Sequence, residues 1–250
     1  MEADMKRFLL MVWVVLAVAG VRPAAALDYD GGKVRFFTGL EYWTAGGAYK
    51  NTKDDWQSSV NDANNAGGGS SGSMSSSITG GPGVRAGAFF KTPLKGLELG
   101  GSLGYVAGPH SKFTVDTGDS ISGFHETDEY TTHFVRAMVQ GQQRFPVSEK
   151  VDVRVGDGIG FASGHLQDDY HCTGMKDGAC FADENVSNNF SGLSYEVGPS
   201  VAYTGQMVNV EFGIVYAGFP KMKEFTIEDG NFNVLSLKWH PFGVRLGMEF

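Results

Sequence analysis

The 250-residue chain has few of the features that mark common soluble or helical membrane proteins. It has two cysteines, and its 20 Lys and Arg residues form no basic cluster, which argues against nucleic-acid binding. After residue 26, no apolar run reaches the roughly 18 residues that a membrane-spanning helix needs. Walker loops, H-E-x-x-H motifs and G-x-S-x-G elbows are also missing. We therefore expect no cofactor, no metal site and no nucleic-acid partner.

The first segment has the order of a secretory signal peptide. Two basic residues precede an apolar run at residues 8–19, and Ala24-Ala25-Ala26 supplies a small-residue cleavage site. A transmembrane anchor is the alternative, but Arg22-Pro23 interrupts a run that is already short for a spanning helix. We expect residues 1–26 to be a signal peptide and residues 27–250 to form one domain.

The two cysteines, Cys172 and Cys180, are eight positions apart. In an exported chain such a pair is typical of a local disulfide bond. A metal site is the alternative, with ligands from the same segment: His165, Asp168, Asp169 and His171. That set matches no established ligand spacing, so the sequence favours the disulfide.

Alternating apolar and polar residues predict strands throughout the exported part. Over residues 97–107 the odd positions are mostly Leu, Tyr and Ala, whereas the even positions are mostly Gly, Ser and Glu. A period of two residues indicates a strand with two different faces. The same alternation occurs in seven further segments: 33–42, 83–90, 134–140, 151–156, 193–198, 208–216 and 242–250. We predict eight strands, or ten if the region before residue 242 adds a hairpin.

The connections between these segments alternate in length. Three are short: residues 91–96, 145–149 and 204–206. Four are long: residues 45–80, 108–128, 162–190 and 219–232. Outer-membrane barrels have short periplasmic turns and long outer loops. We therefore predict an all-β fold, a single closed antiparallel transmembrane barrel of about eight strands with four long outer loops.

The first long loop contains the glycine- and serine-rich stretch from Asp62 to Ser73. Such a composition buries little apolar surface, so we expect this stretch to be a flexible tip. Trp56, in the same loop, is a candidate contact for an external ligand.

Charged residues lie on the polar face of most of the predicted strands. They are Arg35, Glu41, Arg85, Glu98, Arg136, Asp152, Arg154, Glu196, Glu211, Arg245 and Glu249. Inside a closed barrel they would point into the lumen and would have to pair with one another. We expect a charge network that plugs the lumen, in which removing one arginine, such as Arg136, leaves an acid without a partner.

Three positions depart from the barrel pattern. Asp157 lies on the apolar parity, which predicts a bulge at Gly156-Asp157-Gly158 or a place near the rim. Pro199 interrupts a strand and cannot donate a ladder hydrogen bond. The final strand is expected to begin at Asn233, with a bulge at His240-Pro241 where the apolar parity changes.

The ending, Phe242-Gly243-Val244-Arg245-Leu246-Gly247-Met248-Glu249-Phe250, resembles the terminal strand of outer-membrane β-barrels, which ends in Phe after alternating apolar residues. With the signal peptide and the alternating loops, the chain resembles the small barrels of the outer membrane protein A, X and opacity-protein group. The resemblance implies a bacterial outer-membrane location, contact with outer-membrane lipid, and recognition of Phe250 by the barrel-assembly machinery. An extracellular ligand bound through the loops is a further candidate partner, since the resemblance itself identifies function only weakly.

Three functions remain open. We favour a non-enzymatic barrel with an envelope-structural or surface-interaction role and without catalytic residues. A small channel for ions or solutes is the second hypothesis. The third is an enzyme acting on lipid or peptide at the rim, with these candidate residues: His125, Asp128, His133, Asp168, Asp169 and His171. A group of aromatic residues near strand ends is expected to form interfacial girdles: Tyr42, Trp43, Tyr105, Tyr203, Tyr216 and Trp239.

Overall fold

The computed structural model describes residues 34–65, 72–117, 125–173, 184–206, 208–228, 231–237 and 239–250. The expected signal peptide and Cys180 lie outside the described residues, so the cleavage site and the disulfide bond stay predictions.

Eight antiparallel strands form a closed ring. In ring order they are β1 (Val34–Trp43), β3 (Gly81–Lys91), β4 (Leu97–Thr117), β5 (His125–Pro146), β6 (Val151–Thr173), β7 (Glu184–Thr204), β8 (Asn209–Gly218) and β11 (Phe242–Glu249). The last strand pairs with the first, and Phe250 exchanges backbone hydrogen bonds of 2.9 and 3.3 Å with Phe36. Because each strand has a partner on both sides, the ring leaves no open edge. The prediction of a closed eight-stranded barrel is confirmed.

Lipid outside and a filled lumen inside explain the two-residue alternation. On β11, Val244 and Leu246 point outward and are about half exposed, while Arg245 points inward. The same division holds on the other ring strands, with Asp157 on β6 as an exception, and gives the barrel an apolar outer band. No helix in the described ranges is long and apolar enough to cross a membrane.

Four of the ring strands are about twice as long as a membrane crossing requires. Strands β4 to β7 have 21, 22, 23 and 21 residues, whereas a tilted crossing takes roughly 9 to 11. Their outer ends continue as a sheet beyond the barrel, and β2 (Gly72–Thr79) pairs with residues 110–117 of β4. We call this extension the projecting sheet. The long loops expected at 108–128 and 162–190 are therefore mostly strand, because water-facing strands need no apolar alternation.

A β-bulge separates the barrel part of β4 from its projecting part. Gly108 and Pro109 together lie opposite Thr132, so the register shifts by one residue between Ala107 and His110. Inward-facing positions are even-numbered before the bulge and odd-numbered after it, which places Phe113 inside.

The first long connection is more ordered than its composition predicts. It forms helix α1 (Lys50–Asn65) followed by β2, so the flexible tip expected from Asp62 to Ser73 is wrong at both its ends. Three apolar side chains dock α1 and the residue before it: Val60 is buried, Tyr49 is buried against Tyr130, and Trp56 stacks on Phe113. A few apolar residues at helical spacing are therefore enough to fix a largely polar segment. Trp56 packs on the core instead of standing free as a ligand contact.

The last long connection also differs from its prediction. Strands β9 (Met222–Glu228) and β10 (Asn231–Leu237) form a separate hairpin outside the ring, and β11 begins anew at Phe242. A continuous strand from Asn233 with a bulge at His240-Pro241 is therefore wrong. The extra hairpin exists, but the ring keeps eight strands and not ten. The chain turns inward at Trp239, which is fully buried and donates a 3.1 Å hydrogen bond to the carbonyl of Thr44.

Candidate functional site

The structure places the predicted charged residues inside the ring. Ten of the eleven are at most 7% exposed, and the side chain of Arg245 is 12% exposed. They divide into two groups at different depths of the lumen.

The first group, the mid-lumen cluster, consists of Glu41, Glu196, Arg85, Arg136 and Arg245. Arg136 lies 2.8 Å from Glu41 and 3.1 Å from Glu196. Arg245 contacts the same two carboxylates at 2.8 and 2.9 Å, and Arg85 approaches them at 3.4 and 3.7 Å. Three guanidinium groups thus surround two carboxylates, for a formal charge of +1.

The second group, the turn-end cluster, lies towards the short turns. It consists of Arg35, Arg144, Arg154, Glu98, Asp152, Glu211 and Glu249. Arg35 pairs with Glu249 at 2.7 Å, and Arg154 pairs with Glu211 at 2.8 Å. Three arginines meet four acids, for a formal charge of −1, which offsets the +1 of the mid-lumen cluster. Buried charges are tolerated only when they are paired in this way.

Arg144 is the residue that the sequence prediction missed. It bonds Asp152 at 3.1 Å through Nε and Glu98 at 3.2 Å through Nη1. Its parity is that of Arg136 on the same strand, but the predicted strand ended at residue 140. Carrying the alternation on to Pro146 would have placed Gln142 and Arg144 in the lumen as well, where the Gln142 amide donates to Glu98 at 2.6 Å.

Aromatic side chains fill the lumen on the outer side of the mid-lumen cluster. We call Trp43, Phe134, Phe219 and Trp239 the aromatic plug. Phe219 stacks on Trp239 with ring centroids 4.2 Å apart and lies 4.7 Å from Phe134. The guanidinium of Arg136 lies 5.0 Å from the Trp43 ring and 5.2 Å from the Phe219 ring, so the plug and the charges contact directly.

The expected aromatic girdle is therefore partly wrong. Trp43 and Trp239 are fully buried inside the barrel, whereas Tyr42 and Tyr203 point outward and are about half exposed. Trp43 shares the inward parity of Glu41 and donates to its carboxylate at 3.1 Å. That parity, and not the nearness to a strand end, was the informative signal.

One cavity between the described lumen side chains is small. It measures about 30 Å³ and is lined in part by Arg85, Gln140, Glu196, Glu211 and Arg245. A volume of that size holds one or two water molecules.

The structure brings two of the candidate catalytic residues, Asp128 and Asp168, together but places His125 and His133 on the other face of the sheet. His125 and His133 lie on the outer face of β5, bonded to Asp116 at 2.5 Å and to Tyr105 at 2.8 Å. Asp128 lies on the inner face of the same strand, where burial raises the pKa of its carboxyl and Tyr130 donates to it. Asp168 bonds Asp128 on that inner face, whereas Asp169 bonds Gln167 and Asn185 on the outer one and His171 is exposed there. Within the described ranges no group of His, Cys, Asp and Glu could hold a metal ion.

No protein-family model and no curated protein sequence matches the chain. Several solved structures are similar to it. Neisserial surface protein A matches at 11% identity with a TM-score of 0.43, over 86% of this chain and 95% of that one. The attachment invasion locus protein of Yersinia pestis, in complex with the heparin analogue sucrose octasulfate, matches at 11% identity and a TM-score of 0.37, over 87% and 99%. The outer membrane protein OprG from Pseudomonas aeruginosa matches at 10% identity and a TM-score of 0.36, over 87% and 96%.

Proposed function

We propose that the chain is a non-enzymatic outer-membrane barrel that contributes to envelope integrity or to interactions at the cell surface. A closed barrel with an apolar outer band and a paired, charged interior is suited to spanning the outer membrane. Its surroundings in the membrane are outer-membrane lipid, and its assembly would use the barrel-assembly machinery through Phe250.

The observation that carries the proposal is the filled lumen. The two charged clusters balance each other, the aromatic plug covers them on the outer side, and a cavity lined by residues of both clusters measures about 30 Å³. An eight-stranded barrel is only wide enough for its own side chains. A channel for solutes is therefore the weaker hypothesis.

The projecting sheet supports a role at the surface. Its outer face carries paired polar side chains: His110 lies 2.9 Å from Glu129, and Lys112 lies 3.8 Å from the same carboxylate. Such a face belongs in water and can offer hydrogen bonds to an extracellular ligand. An enzyme at the rim has less support, because His125 and His133 lie on the opposite face of β5 from Asp128.

Planar-bilayer recording tests the filled lumen. The purified protein should show no large, steady conductance, and the double substitution Phe219→Ala with Trp239→Ala should raise conductance by opening the plug. Leu246→Ala, which removes similar apolar atoms from the lipid-facing side, is the matched control and should leave conductance unchanged. Porin-like conductance of the unmodified protein would refute the closed-lumen proposal.

The surface role can be tested separately. A variant that joins residues 108 and 132 by a short turn, and lacks β2, would keep the barrel and lose much of the projecting sheet. We expect cells carrying it to lose surface binding. If the same cells also become sensitive to detergent, the projecting sheet serves envelope integrity as well. If neither surface binding nor detergent resistance changes, the projecting sheet has no role in either function.

A further inference from the structure

Asp157 lies on the lipid-facing surface of the barrel. It is exposed and shares the outward parity of Val155 and Ile159 on β6. The ladders on both sides run through it without a register shift, opposite Gly141 on β5 and Val197 on β7. The bulge expected at Gly156-Asp157-Gly158 is therefore absent from the described ladder.

The depth of Asp157 does not place it at a rim either. Along β6 the outward residues on one side are Val153 and Val155, and those on the other side are Ile159 and Phe161. Successive outward positions on a tilted strand are roughly 5 Å apart along the membrane normal. Val151 extends this outward run to six positions. The carboxylate is thus about 15 Å from its inner end and about 10 Å from Phe161, in the central part of a band about 25 Å tall.

A carboxyl group in this position needs a hydrogen-bonding partner. In lipid an unpaired polar group costs free energy that protein contacts can recover. The residues facing Asp157 from the neighbouring strands, Gly141 and Val197, offer no side-chain donor. Among the described residues of the ring strands, no Lys or Arg lies on the outward parity at this depth. A second copy of the chain can therefore supply no cation there, but it can supply another carboxyl.

Symmetry brings the two carboxyls together. Two copies inserted in the same direction can form a closed pair only about a two-fold axis parallel to the membrane normal. When that axis passes beside β6, Asp157 of one copy meets Asp157 of the other at the same depth. Two adjacent carboxyls that hold one proton between them form a hydrogen bond, whereas two ionised carboxyls would repel each other.

The surface around Asp157 favours close approach. A Cβ atom added at Gly141 would lie 3.0 Å from the Asp157 Oδ1 atom and 3.6 Å from Leu99. The glycine therefore leaves a shallow recess beside the carboxyl, with apolar Val139 and Val197 around it.

We propose that the face of the barrel around Asp157, with Gly141 beside it, is an interface between two copies of this chain within the membrane. The paired carboxyls give the contact its specificity, and the surrounding apolar side chains provide the area.

Energy transfer between donor-labelled and acceptor-labelled copies in phospholipid vesicles tests the proposal. The unmodified protein should associate. Asp157→Asn keeps a group that both donates and accepts, so it should associate nearly as well. Asp157→Val should raise the dissociation constant by roughly 3- to 30-fold, the range expected from hydrogen bonds in membranes.

Leu40→Ala is the matched control, because Leu40 lies outward on β1, on the opposite side of the ring from β6. It should leave association unchanged. Heat-modifiable migration of every variant on gels verifies that each is folded. The proposal is overturned if the unmodified protein associates no better than Asp157→Val, or if Asp157→Asn is as weak as Asp157→Val. An equal loss of association in Leu40→Ala would also overturn it.

Discussion

Replacing Glu41 by glutamine should destabilise the barrel more than replacing Arg136 by methionine, although these two side chains form one ion pair. The reason is the unequal charge count in the mid-lumen cluster, where three arginines surround two glutamates. Neutralising Glu41 leaves three guanidinium groups around Glu196 alone. Removing Arg136 leaves two arginines with two glutamates.

The expected magnitudes follow from the contacts that remain. Glu41→Gln raises the local formal charge from +1 to +2 in a buried site, which should cost about 3–5 kcal/mol. After Arg136→Met, Glu41 and Glu196 still lie 2.8 and 2.9 Å from Arg245. The cost should then be about 1–2 kcal/mol, mainly from the cation–π contacts with the aromatic plug. The structure thus corrects the expectation that removing Arg136 leaves an acid without a partner.

Urea unfolding of the protein in lipid vesicles measures both free energies. The double substitution should be less destabilising than Glu41→Gln alone, since it returns the local charge to +1. Equal losses for the two single variants, or a larger loss for Arg136→Met, would refute the reasoning from charge balance.

Three further predictions concern the projecting sheet and the chain end. Burial raises the pKa of Asp128 above its ordinary 3.8. The protonated carboxyl therefore favours the folded projecting sheet below pH 3.8, and this contribution is lost as the pH rises through the raised pKa. Asp128→Asn should therefore protect the projecting sheet from hydrogen exchange better than the unmodified protein at pH 8 but not at pH 3, and equal protection at both would contradict this. Thiol titration of the non-reduced protein should find Cys172 and Cys180 bonded, a cross-link worth about 2–3 kcal/mol in the loop-entropy model; free thiols would show otherwise. Deleting Phe250 should lower the yield of heat-modifiable barrel because its backbone helps to close the ring onto β1, whereas Ser75→Ala should not, and equal yields would argue against an assembly role.

The sequence predicted strands best where the two faces of a strand have different surroundings. Between lipid and a filled lumen every second residue is constrained, so the eight ring strands and most of the buried charges could be predicted from alternation. Beyond the membrane, both faces of β4 to β7 tolerate polar residues, and their outer halves could not be distinguished from loops. Helix α1 was missed because Trp56 and Val60 are few among many polar residues.

Some features depended on contacts between distant parts of the chain. Trp239 is close to a strand end and has the composition of a girdle residue, yet its indole binds the carbonyl of Thr44 about 200 positions away. Asp157 could be identified as exceptional from parity, but only the unbroken ladders place it on the lipid-facing surface.

The bulge at Gly108-Pro109 joins two parts of β4 that differ in the polarity of their inward face. The inward face carries a charge at Glu98 in the barrel and apolar side chains at Phe113 and Val115 in the projecting sheet. Below it, the odd-numbered positions of β4 meet lipid; above it, odd-numbered Phe113 and Val115 are interior. Removing one of the two bulge residues would give a regular strand and leave every pairing from His110 onward unchanged, so Phe113 and Val115 would stay interior. Removing Ser111, just beyond the bulge, would instead bring Lys112 opposite the buried Tyr130 and turn Phe113 and Val115 towards water, a frameshift in three dimensions.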